Sequence, residues 1–206
     1  MASFEELPSD LPEPEDDGAA AHLAGSAVPS VTLPSTTGEA VTLDRIGSPR
    51  AVVYVYPMTG RPGRPLPSDW DLIPGARGCT PEACGFRDHH DELARLGAGV
   101  FGLSSQSTDY QSEAAERLHL PFPLLSDERH ELAGQLGLPT FEVDGLRLYK
   151  RLTLVLNTSV IEHVFYPVFP PDTHAQEVLE WLPNTFGATP SGDADEAPPH
   201  RPHRRP

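Results

Sequence analysis

Hydrophobic and polar positions along the chain change period several times. Residues 51–56, Ala-Val-Val-Tyr-Val-Tyr, form an unbroken apolar run closed by Pro57. Such a run predicts a strand buried on both faces of a sheet. Residues 100–103 and 152–156 are further short apolar runs. Residues 161–165, Ile-Glu-His-Val-Phe, mix apolar and polar positions and are expected to form an antiparallel neighbour, with Asn157-Thr158-Ser159 supplying a hairpin turn back from 152–156. Residues 31–33 and 41–43 flank Thr37-Gly38 and predict a small two-stranded ribbon.

Helical spacing falls between these runs. From Pro81 to Leu96, Ala83, Phe86, His90 and Leu93 recur every three or four residues, and Gly97 and Gly99 supply the stop. Residues 109–119 and 127–136 are two more amphipathic stretches, and in 172–182 Ala175, Val178, Leu179 and Leu182 share a face. The order is ribbon, strand, helix, strand, helix, strand, helix, hairpin, helix. It predicts an α/β fold with a mixed central sheet flanked by helices.

With 206 residues, 38% of them hydrophobic, the chain has material for one domain with its own core. Residues 1–27 carry seven acids, three prolines and no Lys or Arg, and residues 187–206 carry three acids, three arginines and five prolines. Both are expected to be disordered, because they bury too little apolar surface to offset their ordering entropy. That leaves 28–186 as the folded domain. A formal net charge of −15 argues against nucleic acid as a partner. No apolar run is long enough to span a bilayer, and the first residues have neither a basic start nor an apolar stretch. The expectation is a cytoplasmic protein.

One connection is long: residues 58–78, between the strand ending at Tyr56 and the helix near Pro81, lead straight into the first cysteine. The two cysteines, Cys79 and Cys84, stand in Gly-Cys-Thr-Pro-Glu-Ala-Cys. Proline is tolerated in the first turn of a helix, so the helix begins beside Cys79. The unpaired N–H groups there favour an anion, which predicts a lowered thiol pKa. Five residues along a helix amount to about 7.5 Å of rise and about 140° of rotation. A disulfide needs Cα atoms about 4.4–6.8 Å apart. Bonding this pair therefore requires the first turn or two to unwind. Two unrelated buried thiols are the alternative. A zinc site lacks further ligands at suitable spacing, adjacent His89 and His90 cannot both face one metal, and the Cys-x-x-Cys of disulfide reductases is absent.

These residues resemble the peroxiredoxins of the bacterioferritin comigratory protein (Q) type. The resemblance is carried by GCTPEACGFRDHHDEL (78–93), VFGLSSQSTDYQ (100–111), FPLLSDERHELAGQLG (122–137), YKRLTLVL (149–156) and IEHVF (161–165), and runs from about residue 28 to 182. It implies a thioredoxin-like fold and a thiol-dependent peroxidase with no metal, haem or flavin cofactor. It further implies that Cys79 attacks hydrogen peroxide or an organic hydroperoxide and that Cys84 resolves the product as an intramolecular disulfide. A thioredoxin-like partner would reduce it, in a monomer or weak homodimer. Arg151 matches the family's active-site arginine. The family places a hydroxyl residue three positions before the nucleophile, where this chain has Ala76. Pro57 and Thr59 match the family's substrate-binding proline and hydroxyl across the long connection. A backbone group or Arg77 is the alternative to Thr59, and Arg61, Arg64, Trp70 and Arg77 either shape a substrate mouth or pack the loop. A thiol redox sensor without peroxidase turnover, or an unreactive interaction module, are the competing functional classes.

Overall fold

A computed structural model describes residues 7–46 and 49–184. In chain order the strands are β1 (Thr32–Pro34), β2 (Ala40–Thr42), β3 (Arg50–Val55), β4 (Ala98–Ser104), β5 (Leu124–Ser126), β6 (Thr140–Val143), β7 (Leu146–Tyr149), β8 (Leu152–Asn157) and β9 (Val160–Phe165). The helices are α1 (Cys79–Asp88), α2 (His90–Arg95), α3 (Thr108–Arg117), α4 (Glu131–Leu136) and α5 (His174–Asn184). The central sheet has the order β5-β4-β3-β8-β9, with β3, β4 and β5 parallel and β8 and β9 antiparallel additions. The expected mixed sheet, helices and N-terminal ribbon are all present, and the fold is thioredoxin-like.

β3 is buried along its whole length and sorts its side chains by parity. Val52 and Tyr54, with Tyr56 just beyond the strand, face a core shared with α1, α2 and α5, including Phe86, Leu93 and Val178. Ala51, Val53 and Val55 face a second core built from Leu33, Leu43, Leu132 and Tyr149. A two-sided strand in mid-sheet is what the uninterrupted apolar run required.

Four expectations are corrected. The helix expected over 81–96 is two helices separated at His89, because α1 packs against α5 while α2 turns to pack against β4. The helix expected from 127 starts at Glu131: the buried Asp127 carboxylate accepts the backbone N–H groups of Glu131 at 2.7 Å and Leu132 at 3.0 Å, so 127–130 form a capping turn. The β6–β7 hairpin was not foreseen; its turn, Asp144-Gly145, has φ of 49° and 75°, the left-handed pair an Asp-Gly sequence favours.

The fourth concerns the acidic N-terminal segment. Residues 7–27 are ordered against the body, not disordered. Ala20 and Leu23 enter the second core, and Ala27 bridges to Val160. The Asp17 carboxylate accepts from Lys150 Nζ at 2.6 Å and the Tyr166 hydroxyl at 2.7 Å. Charge density pointed to disorder, but buried apolar side chains, the Asp17 contacts and backbone hydrogen bonds between Gly25, Ser26 and Ile161 tie the segment to the domain. The segment expected to be disordered at 187–206 lies outside the described residues.

Candidate active site

Cys79 is the first residue of α1, and Gly78 caps it with φ 104°, a left-handed conformation that suits glycine. A Cβ at Gly78 would lie 2.3 Å from Pro171 Cγ and 3.0 Å from Leu7 Cδ2, so the backbone is crowded from two sides. The Cys79 side chain is only 4% exposed. Four groups surround its sulfur. Arg151 Nη2 donates to Sγ at 3.1 Å, and the backbone N–H of Met58 donates from the far end of the long connection. As a thiol, Sγ donates to the Ala76 carbonyl at 3.6 Å. The helix N-terminus contributes its partial positive charge.

Arg151 stands just before β8 and is fixed by the turn ahead of α1. Its Nε donates to Gly75 O at 3.2 Å, and Nη2 also donates to Ala76 O at 3.2 Å and Arg77 O at 3.1 Å. Its Nη1 pairs with Glu82, three residues beyond Cys79 on the same face of α1. Glu82 is completely buried, and among the described residues its second oxygen, Oε1, has no hydrogen-bond partner. One cation therefore serves two acidic groups.

The consequences for protonation differ from the sequence expectation. Burial pushes the Cys79 thiol up, Arg151 pulls it down, and the Glu82 charge pushes it up again; the balance lies above the ordinary thiol value. Burial likewise raises the Glu82 carboxyl, against the pull of Arg151 and His174. Burial works against the Arg151 charge, but the charges of Cys79 and Glu82 outweigh it and keep the guanidinium protonated. The lowered pKa expected from the helix terminus alone is thus corrected: dipole and guanidinium act, but in a dry site that also holds a carboxylate.

The sequence placed Thr59 as the replacement hydroxyl. The structure commits that hydroxyl elsewhere: Thr59 Oγ1 and N donate to Gln106 Oε1 at 3.2 and 2.9 Å, and Gln106 Nε2 returns to Thr59 O at 3.3 Å. Pro57 is buried at the end of β3, and its carbonyl accepts from Ser104 Oγ at 2.9 Å. Pro57 and Thr59 thus hold the segment from which the Met58 N–H reaches the sulfur. Arg77 turns its guanidinium to Asp71 at 3.2 Å, and its carbonyl accepts from Arg151. Of the other loop residues, Trp70 is buried with Ala76 and Leu148, and Arg61 lies over the Tyr110 ring at 5.7 Å. These contacts pack the loop. Glu82 and Gln106 were not singled out in the sequence; the spacing of three residues from Cys79 was the available signal for Glu82.

Cys84 sits one and a half turns further along α1, partly exposed, within hydrogen-bonding reach of Arg87. Both cysteines are free thiols on an unbroken helix. Tyr54 stacks beneath α1 on Phe86, centroids 4.6 Å apart. Among the described residues no group of three or more His, Cys, Asp or Glu side chains is placed to hold a metal ion. No described helix is long and apolar enough to cross a membrane.

A thiol held by an arginine at the mouth of the first long helix of a thioredoxin-like sheet defines a thiol-redox protein, and comparison with known proteins narrows the class. The Redoxin family pattern matches residues 23–179. Peroxiredoxin Bcp of Escherichia coli strain K12 is 35% identical over 166 residues, covering 77% of this chain and 94% of that protein. The chloroplastic peroxiredoxin Q of Sedum lineare is 33% identical over 159 residues, covering 77% and 76%. Among solved structures, peroxidoxin BcpB from Mycobacterium tuberculosis superposes with a TM-score of 0.65 at 30% identity, over 79% of this chain and 98% of that one. The chain belongs to the redoxin family and, within it, to the peroxiredoxins of the Bcp and Q type, which are thiol-dependent peroxidases.

Proposed function

We propose that Cys79 is the peroxidatic nucleophile of this peroxidase, Cys84 its resolving thiol and Arg151 the residue that holds both the thiolate and the peroxide oxygens. The observation that carries this reading is the 3.1 Å contact from Arg151 Nη2 to Cys79 Sγ in a buried site at a helix start. The thiolate attacks the terminal oxygen of ROOH: the S–O bond forms, the O–O bond breaks, and the sulfur loses two electrons. The departing oxygen takes a proton and leaves as ROH. Arg151 and the Met58 N–H are aimed where negative charge moves between sulfur and oxygen. The sulfenic acid then condenses with the Cys84 thiol, releasing water and forming the disulfide. A dithiol protein of the thioredoxin type takes up the disulfide and restores both thiols.

Burial raises the Cys79 thiol, and the Arg151 contact is the influence that favours its thiolate. Geometry supports the order of events as well. α1 is continuous across both cysteines, so resolution requires its first turn to open after oxidation. The reading includes hydrogen peroxide and organic hydroperoxides as substrates, a cytoplasmic setting, and a monomer or weak homodimer that binds neither nucleic acid nor membrane. Peroxide consumption with a thioredoxin system, joined to mass spectrometry of the oxidised protein, tests it. The wild type is expected to turn over and to show a 79–84 disulfide; Cys79→Ser is expected to do neither. Wild-type rates in Cys79→Ser would end the proposal.

A further inference from the structure

We propose that the N-terminal segment makes a specificity site beside Arg151, one that receives the uncharged apolar body of an organic hydroperoxide and turns away anionic ones. This rests on the reading of Cys79 as the peroxide-reducing thiol and adds to it a substrate class and the residues that select it.

A cavity of about 390 Å³ opens next to the thiol site. Its floor includes Arg151 and Gly75, the residue whose carbonyl takes the Arg151 Nε hydrogen bond. Ile73, Phe141 and Val168 give it apolar walls, and Pro14 closes it from the N-terminal side. Cys79 itself does not line the cavity. The connection runs through Arg151, which lines the cavity and whose Nη2 touches the sulfur. A molecule of water takes about 30 Å³ in the liquid, so hydrogen peroxide needs a small fraction of this space. Apolar walls around a single charged group are instead the form of a site for an organic molecule with one polar end.

The N-terminal wall is held in place, not draped. Leu23 and Ala20 anchor it in the core, Asp17 ties it to Lys150 and Tyr166, and Pro14 Cγ comes within 3.5 Å of where a Gly75 Cβ would stand. The same wall sets the charge. Both cations at the cavity are already matched, Arg151 by Glu82 and Lys150 by Asp17. Glu13 and Glu15 line the cavity from exposed positions, and among the described residues neither is part of an ion pair. A hydroperoxide carrying a carboxylate therefore meets two like charges and two cations already matched, whereas a neutral one meets the apolar walls without that repulsion.

The test compares kcat/KM for hydrogen peroxide, cumene hydroperoxide and the ring-carboxylated analogue of cumene hydroperoxide. Three proteins are used: the full chain, the chain lacking residues 2–15, and the E13Q/E15Q double variant. Deletion is expected to lower the ratio of cumene hydroperoxide to hydrogen peroxide by at least about fivefold. The double variant is expected to raise the ratio of the carboxylated to the neutral substrate by about threefold, an effect that shrinks with added salt. Both substitutions are at exposed positions, so this arm stands even if the deletion disturbs folding. Ratios within about twofold of the full chain in the double variant overturn the charge selection, and in a folded deletion variant they overturn the site itself. Full-length protein that reduces none of the three peroxides instead removes the underlying assignment of Cys79.

Discussion

The two cysteines share one helix and each has an arginine beside it, yet their surroundings differ in every other respect. Cys79 is sealed in, and its Arg151 is immobilised by three carbonyls and a buried carboxylate. Cys84 is partly exposed, and its Arg87 divides itself between Asp88 at 2.8 Å and the Leu118 carbonyl at 3.0 Å near the surface. On the proposed assignment of Cys79, the difference teaches that proximity to a cation does not by itself make a reactive thiol. A guanidinium fixed in a buried site supplies a directed field, whereas one near the surface is screened by solvent.

The largest contrast is expected between the serine variants. Cys79→Ser should abolish peroxide reduction. Cys84→Ser should still be oxidised once per chain but fail to cycle with a thioredoxin system, and should drift to sulfinic acid at Cys79 under excess peroxide, as intact-mass measurement would report. Next come the arginines. Arg151→Met is expected to lower kcat/KM by about 10²–10³-fold, the cost of losing a preorganised charge donor, while Arg87→Ala changes it by less than about threefold. Equal losses would erase the distinction drawn here.

A smaller effect should separate charge from packing around Cys79. In Glu82→Gln, one push on the thiol is gone, so the rise of the peroxide rate with pH should begin at lower pH than in the wild type. The maximal rate should fall at the same time, because Arg151 loses its anchor. A profile that stays in place while the rate falls would make Glu82 a purely mechanical support. Stability carries the same sign. The folded thiol is raised, so its contribution is fully present below the ordinary thiol range near about 8.5 and is lost as pH climbs through the folded value. Urea midpoints on either side of that range, in wild type and Cys79→Ser, would show a steeper alkaline decline in the wild type. The smallest change belongs to Thr59→Ala: its hydroxyl serves Gln106, so the rate should fall by less than about threefold, through looser placement of the Met58 N–H.

Much of this molecule was legible in the residues. The two-faced run of β3 and the proline just inside α1 each encode a local geometry, and the structure follows them. The Asp144-Gly145 hairpin was equally encoded, by a turn dipeptide between alternating strands. What could not be read was anything set by long-range meeting. Asp127 shortens α4 because Tyr149 and two backbone N–H groups converge on it. Thr59 donates its hydroxyl to Gln106, which lies on a different loop. The raised thiol follows from burial beside Glu82, and burial is a property of the assembled core. The N-terminal segment shows the same limit, since its many acids announce themselves while Leu23 and Ala20 count only once a hydrophobic recess exists to take them.

Gly78 gathers these threads at a single Cα. The N-terminal segment, through Leu7, and the turn before α5, through Pro171, both rest on the space where its side chain would be. Adding one methyl there would act as a wedge driven between three parts of the chain that are far apart in sequence. The Cys79 sulfur sits one residue away, so the pivot of the proposed swing toward Cys84 is also the keystone on which both flanking segments lean.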